Sequence, residues 1–139
     1  MKQVIAMHGW SGDATTWDLW AHRFRKFGWE WQNAERGYGN REEKQPQWLQ
    51  SKDINSSEYR VFIGHSLGPH LITKEVLSQA THVVLLCSFG RFLPKDKDRR
   101  SIKIALDGMQ EKIGTKEEIT MLTKFLSKEQ ERLYFCHRK

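Results

Sequence analysis

Gly64-His65-Ser66-Leu67-Gly68 is the stretch that decides the fold, because it stands between a predicted strand and a predicted helix. The strand, residues 59–63, is rich in β-branched and aromatic side chains and runs directly into Gly64. Pro69 suits the first turn of the helix, since the N–H that proline lacks would be unpaired there. A serine on such a turn takes a strained backbone conformation that exposes its hydroxyl above the sheet, and flanking glycines avoid collisions with neighbouring elements. The stretch therefore predicts Ser66 as a nucleophile.

Three further segments around this turn predict strands. They are the apolar run 3–7, the weaker signal 29–33 and the apolar run 82–88. Each strand except the second is apolar without alternation, which is typical of strands buried on both faces of a parallel sheet. The front of the chain therefore predicts an α/β fold, with a mostly parallel sheet and flanking helices.

The helices between these strands have recognisable starts and buried faces. Asp13 stands as an N-cap before a helix over 14–26, in which we interpret Trp17 and Trp20 as core anchors. The helix after Gly68 is expected to bury one face, made by Ile72, Val76 and Ala80. Residues 46–53 predict a short helix, and residues 35–40 predict a loop because Gly37 and Gly39 interrupt them.

The chain changes character after Pro94. Residues 1–90 hold 10 Lys/Arg and 9 Asp/Glu, whereas residues 91–139 hold 13 and 8, so most of the net charge of +6 lies at the rear. All six tryptophans lie in the first 48 residues. Residues 95–137 predict helices only, one ending at Gly114, one opened by a Thr115–Glu118 capping box and a third starting near Ser127. We therefore expect two segments, 1–94 and 95–139.

Composition excludes several classes of protein. No apolar run is long enough to span a bilayer, and no secretory leader is recognisable at the N-terminus. Cys87 and Cys136 form neither a metal pattern nor a disulfide framework, and Cys87 is expected to be a small buried hydrophobe. We therefore expect a cytoplasmic protein with reduced thiols, no membrane association, and no metal or cofactor.

A second motif supports the first. His8-Gly9-Trp10 follows the first predicted strand and turns into a helix, which would bring a backbone N–H close to that of the serine turn. Two donors, the N–H groups of Trp10 and Leu67, would then hold the oxyanion of a tetrahedral intermediate. Taken alone, His8-Gly9-Trp10 is equally well explained as a tight strand-to-helix turn that needs its glycines for geometry.

Together these motifs resemble the α/β-hydrolase superfamily. His8-Gly9-Trp10 matches its oxyanion loop, Gly37-Tyr38-Gly39 the loop after the next strand, and Gly64 to Gly68 its nucleophile elbow. Within the superfamily the chain is most similar to the carboxylesterases that cleave pimeloyl-acyl-carrier-protein methyl ester in biotin synthesis. In those enzymes too, a strand ending in small residues, here 83–89, leads into a helical cap. The resemblance implies a partial hydrolase core over 1–94 and a cap segment over 95–139.

The sequence departs from the superfamily in its catalytic triad. The triad runs nucleophile, acid, histidine, and the last two stand on loops after strands that follow the cap. This chain ends at His137-Arg138-Lys139, so we expect the N-terminal part and the cap of a complete enzyme, without the acid and the histidine. No histidine is placed as a substitute base; the six are His8, His22, His65, His70, His82 and His137. Asp96 and Asp98 are better explained as parts of a solvated charged loop.

The resemblance implies a serine carboxyl ester hydrolase, with Ser66 as nucleophile and with Trp10 and Phe89 as candidates for the substrate pocket. The alternative is a non-catalytic remnant of the same fold that binds an acyl or ester ligand. An acyl carrier protein would be a partner for the basic residues Lys95, Lys97, Arg99, Arg100 and Lys103, although a solvated helix face explains them more simply. No stacking platform for nucleic acid is evident. A sheet without its last strands exposes an apolar edge, so we also expect self-association.

Overall fold

The computed structural model describes residues 1–50, 58–95 and 99–136, with side chains as far as residue 128. Four strands form the sheet: β1 (Lys2–Met7), β2 (Glu30–Ala34), β3 (Tyr59–His65) and β4 (His82–Leu86). Five helices accompany them: α1 (Asp18–Lys26), α2 (Gly68–Leu71), α3 (Lys74–Gln79), α4 (Arg99–Gln110) and α5 (Glu118–Cys136). A 3-10 turn, Ala14–Trp17, leads into α1, and the Asp13 carboxylate caps that turn by accepting from the Thr15 N–H.

The sheet is parallel throughout, in the order β2-β1-β3-β4. Its central strands pair with Met7 opposite Gly64, and β3 pairs with β4 so that His65 lies opposite Leu86. Parallel strands need long crossover connections; α1 lies in the one between β1 and β2, and α2 and α3 lie in the one between β3 and β4. The predicted mixed α/β fold with a parallel sheet and flanking helices is confirmed.

Two apolar layers cover the two faces of the sheet. Alternate residues of β1 divide between them, because Ile5 and Met7 join one buried cluster and Val4 and Ala6 join the other. The first cluster contains Phe62, Trp48, Ile72 and Val76, and the second contains Trp17, Ala21, Trp31 and Ile63. Strand β1 therefore lies at the centre of the core of the first unit, and packing on both faces holds its carboxyl end in place.

The helix predicted after Gly68 is two helices. Its chain breaks at Ile72 and Thr73, both of which have extended backbone, and the Thr73 hydroxyl accepts from the Val76 N–H to cap α3. A threonine at such a position competes with continuous helix by offering its own hydrogen bond. The buried face is nevertheless as expected, since Ile72 and Val76 are buried and Ala80 packs against the same cluster.

The helix predicted over 46–53 is wrong for residues 46–50, which have no regular structure, and residues 51–53 lie outside the described residues. Trp48 is buried instead, and its indole Nε1–H donates to the Val76 carbonyl at 2.9 Å. The buried Gln3 side chain donates to the Leu49 carbonyl at 2.9 Å and accepts from the Leu49 N–H at 2.7 Å. These tertiary hydrogen bonds hold the segment against the sheet without a helix.

Three predictions of burial fail, two of them at the last strand. Trp20 is 41% exposed, stacked on Phe24 at the surface, whereas Trp17 is buried as expected. Val83 and Leu85 are each 50% exposed, and Cys87 is exposed rather than buried. The physical reason is the position of β4, which pairs with β3 on one side and ends the sheet on the other.

The chain divides into two compact units, Met1–Gly90 and Arg91–Lys139, whereas the sequence places the boundary after Pro94. In the second unit α4 buries none of its residues, and α5 runs unbroken through the predicted start of a third helix at Ser127. The predicted Thr115–Glu118 capping box does not form as a reciprocal pair: Thr115 Oγ1 accepts from the Glu117 N–H rather than from that of Glu118, and Glu118 Oε2 accepts from the Gly114 N–H rather than from that of Thr115. The expected cap role of this helical unit stays a prediction.

None of the described helices is both long and apolar enough to cross a membrane.

Candidate functional site at the carboxyl edge of the sheet

The two motifs singled out in the sequence lie against each other. Since β1 and β3 are parallel neighbours, the loops that follow them leave the same edge of the sheet. A Cβ placed on Gly9 would lie 2.9 Å from the Ser66 Cβ and 3.2 Å from the His65 carbonyl oxygen. Only a residue without a side chain allows the loop after β1 to approach Ser66 this closely.

Ser66 has a left-handed backbone, with φ of 50°. Its N–H donates to the Leu86 carbonyl at 2.9 Å, and its carbonyl accepts from Ser88 Oγ at 2.6 Å. The end of β4 therefore holds the Ser66 backbone at both polar groups, while its half-buried side chain hydrogen-bonds to none of the described residues. The sequence analysis did not identify Ser88 as a residue that holds the serine turn. An apolar run gives no sign that the hydroxyl at its end donates to a carbonyl of a neighbouring loop.

The glycines of the serine turn are enclosed, as predicted. A Cβ on Gly68 would lie 2.5 Å from the Met7 carbonyl oxygen, and one on Gly64 would lie 2.8 Å from both the Phe62 ring and Pro69. Contacts below 3 Å to backbone leave no room for adjustment. The turn and the first turn of α2 are therefore packed directly against the end of β1.

The predicted oxyanion donors stand on the two loops. Trp10 is half-buried in the loop after β1, and Leu67 is the residue just before α2. However, α2 is a single turn of four residues, so its dipole adds much less to this position than the continuous helix expected from the sequence. Any stabilisation of an oxyanion here rests on individual N–H groups.

A buried His8–Glu35 pair braces the loop after β1. His8 Nδ1 lies 2.8 Å from the Gly9 carbonyl oxygen, and Nε2 lies 2.9 Å from Glu35 Oε1. A carbonyl only accepts, so Nδ1 is the nitrogen that donates to the Gly9 carbonyl. Nε2 faces the Glu35 carboxylate and also lies 3.2 Å from the Arg36 backbone nitrogen. Both ring nitrogens of His8 are thus engaged.

Glu35 joins the segment after β1 to the loop after β2 and was missed in the sequence, where it was assigned only to a loop. Besides His8 it accepts from the Ala14 N–H and the Gly37 N–H, each at 2.9 Å. Burial alone would raise the pKa of Glu35, but the hydrogen bonds from Gly37 and Ala14 and the nearby His8 outweigh it and lower that pKa. Glu35 is therefore an ionised anchor between the loops after β1 and β2.

Tyr38 lies beside this pair, in the Gly37-Tyr38-Gly39 stretch that the sequence singled out. Its ring centroid is 6.0 Å from that of His8, and burial raises the pKa of its hydroxyl. The loop after β2 thus packs onto the loop after β1 at His8.

The other histidines that the structure describes form no hydrogen bond with the Ser66 hydroxyl. His70 is exposed, its Nε2–H donates to the Phe89 carbonyl at 2.9 Å, and its ring stacks on Phe89. His82 contacts Thr81 and Tyr59 at the opposite end of the sheet, and His22 is exposed on α1. His65 is half-buried with its ring beside Gly9. His137, Asp96 and Asp98 lie outside the described residues.

The basic residues at the start of the helical unit are exposed. Lys103 pairs with Asp107 across one helical turn at 2.6 Å, which neutralises part of the charge that α4 presents. Lys95, Arg99 and Arg100 are exposed, and Lys97 lies outside the described residues. This arrangement agrees with a solvated helix face, and the acyl-carrier-protein contact stays a prediction.

Comparisons with known proteins add no relative: no family model, no curated protein and no solved structure matches the chain. Within the described ranges, no group of three His, Cys, Asp or Glu side chains is placed to hold a metal ion. The site is therefore described by its own geometry: a strained serine, two loop amides and a buried His–Glu brace.

Proposed function

We propose that the chain forms a serine carboxyl ester hydrolase site of the α/β-hydrolase type. The observation that carries the proposal is the left-handed backbone of Ser66 on a turn closed by Gly64 and Gly68. Strained backbone persists only where surrounding structure enforces it, and it concentrates at functional sites. The other two non-glycine residues with positive φ, among those described, are Ser11 and Cys87 on the turns after β1 and β4. All three of these left-handed residues therefore follow strands at the carboxyl edge of the sheet.

In the proposed reaction Ser66 Oγ attacks the ester carbonyl carbon, and the carbonyl oxygen becomes an oxyanion. The N–H groups of Trp10 and Leu67 would hold that oxygen, and each such donor lowers the barrier by roughly 3 kcal/mol. As the tetrahedral intermediate collapses, the proton given up by the Ser66 hydroxyl passes to the departing alcohol, and an acyl group stays on Ser66. Attack of water on that acyl group then releases the carboxylic acid and returns a proton to Ser66 Oγ. Trp10 and Phe89 would contact the acyl chain, because they stand on loops at the same edge of the sheet.

Among the described residues, none hydrogen-bonds to the Ser66 hydroxyl as a general base would, and His8 and His70 already donate to other groups. A serine hydroxyl without a base is a poor nucleophile at neutral pH, and most of the rate is lost without it. We therefore expect this chain to acylate slowly and only with activated esters.

The second candidate follows from the same observation. If the engaged histidines leave Ser66 unreactive, the edge would serve as a non-catalytic binding site for an acyl or ester ligand. The finer proposal, a methyl ester carried on an acyl carrier protein for biotin synthesis, rests on the basic residues Lys95, Arg99 and Arg100 and on the resemblance of the motifs.

A fluorophosphonate probe separates the two candidates, since it forms a bond only with a reactive serine. The hydrolase proposal predicts one adduct, on Ser66, that Ser66→Ala abolishes. Ser78→Ala is the matched control, because Ser78 is an exposed serine on α3. Absence of any adduct on the folded protein, together with binding of an acyl ester, would favour the binding role.

A further inference from the structure

We propose that His8, held by Glu35, is a positioning residue that sets the direction of the Trp10 N–H. This inference rests on the proposed function, because it concerns the donor assigned there to the oxyanion. It goes beyond that function because it states that His8 Nδ1 sets the orientation of the Trp10 N–H.

The argument begins with the peptide group between Gly9 and Trp10. Its plane is rigid, and in the trans form the C=O and the N–H point in opposite directions. The Gly9 carbonyl accepts from His8 Nδ1 at 2.8 Å and from the Gly12 N–H at 3.3 Å. Two hydrogen bonds to one oxygen fix the peptide plane, so the Trp10 N–H is turned away from His8 and Gly12.

Glu35 fixes the orientation of the His8 imidazole ring. Its carboxylate contacts Nε2, which keeps the imidazole in the orientation that presents Nδ1–H to the Gly9 carbonyl. The carboxylate is itself held by the Ala14 and Gly37 N–H groups. His8 and Glu35 are 1% and 7% exposed, so neither side chain has room for another orientation.

The Gly9–Ser66 approach explains why this direction matters. A Cβ on Gly9 would lie 2.9 Å from the Ser66 Cβ, so the peptide that joins Gly9 to Trp10 begins at the residue packed directly against Ser66. A hydrogen bond that forms only in the transition state loses its value steeply when its donor is turned. A rotated Gly9–Trp10 peptide would leave Ser66 exposed but its oxyanion unsupported.

Two substitutions of His8 separate orientation from mere packing. His8→Asn keeps an N–H at the δ position, which can donate to the Gly9 carbonyl, but it cannot reach Glu35. His8→Gln keeps an amide at the ε position, which reaches Glu35, but it has no δ donor for Gly9. Both variants remove the ring and one hydrogen bond, so a purely structural role predicts similar losses from the two. Glu35→Gln is a third variant that retains the δ donor on His8.

The first readout is the rate constant of fluorophosphonate labelling at Ser66, measured beside thermal unfolding of each variant. We expect about a 100-fold loss in His8→Gln and less than about a 10-fold loss in His8→Asn, from the effect of a lost oxyanion donor. Turnover of a nitrophenyl ester should lose kcat in His8→Gln with little change in KM. Equal losses in the two variants, or losses that follow their melting temperatures, would overturn the proposal.

The second readout does not depend on reactivity. In a triple-resonance spectrum, one cross-peak correlates the Gly9 carbonyl carbon with the Trp10 N–H and so reports this peptide directly. It should move in His8→Gln and stay near its wild-type position in His8→Asn and Glu35→Gln. If wild-type Ser66 is never labelled, the proposed function fails, but this peak still decides whether His8 orients the peptide. A peak unmoved in His8→Gln would refute it.

Discussion

Ser66 holds a left-handed backbone conformation that an L-residue adopts at an energetic penalty, while its hydroxyl bonds to none of the described residues. A glycine would relieve that strain. We therefore expect Ser66→Gly to raise the free energy of unfolding by about 1 kcal/mol while abolishing fluorophosphonate labelling. Urea denaturation measures the first effect. Ser78→Gly in α3 is the control and should lower stability, because glycine is unfavourable within a helix. A loss of stability in Ser66→Gly would contradict a strained turn.

Glu35 gives the fold an acid sensitivity. Its pKa is lowered in the folded protein, so its contribution to stability is complete above the ordinary glutamate pKa and disappears as pH falls through the folded value. We expect Glu35→Gln to lose about 2 kcal/mol at neutral pH, since hydrogen bonds to a buried charge are strong, and the deficit to shrink at acid pH. Urea denaturation between neutral and acid pH measures this.

Glu42→Gln removes an exposed carboxylate from the same loop and controls for the change in net charge. A deficit in Glu35→Gln that stayed constant with pH would show that the lost contacts are not those of an ionised carboxylate.

At the scale of elements, the serine turn and α2 depend on their close contact with the end of β1. Gly68→Ala would place a methyl group 2.5 Å from the Met7 carbonyl oxygen, so either β1 or the turn must move. We expect a loss of about 2–4 kcal/mol in the free energy of unfolding, within the range of severe backbone and packing clashes. Gly90→Ala is the matched control, because a Cβ there meets nothing within 4 Å. Similar losses in the two variants would contradict the close contact.

The serine turn, the loop after β1 and the strand pattern could be predicted from the sequence, because glycine positions and unbroken apolar runs are local signals. The break at Thr73 and the extended segment at Trp48 could not, since tertiary hydrogen bonds decide them. Glu35 was missed for the same reason: two of its three partners, His8 and Ala14, lie in the segment after β1, which only the folded sheet brings beside the loop after β2. The Asp13 cap was found because its partner is two residues away.

At the scale of the whole molecule, β4 ends one side of the sheet and, among the described strands, pairs only with β3. Val83, Val84 and Leu85 of β4 are exposed, and the strand carries neither lysine nor proline to discourage pairing with another chain. We expect concentration-dependent self-association in sedimentation velocity, weakened by Val84→Lys. Leu19→Lys is the control, because Leu19 is an exposed apolar residue on α1, outside the sheet. A monomer at all concentrations, or equal effects of the two variants, would contradict association through β4.

The central claim is that the carboxyl edge of this sheet is built around a reactive Ser66. Mass spectrometry of the folded protein after treatment with a fluorophosphonate tests it most directly. The account predicts a single adduct on Ser66 that is lost in Ser66→Ala, retained in Ser78→Ala and lost when the protein is unfolded before treatment. A folded protein that carries no adduct, or whose adduct lies on another residue, would contradict it.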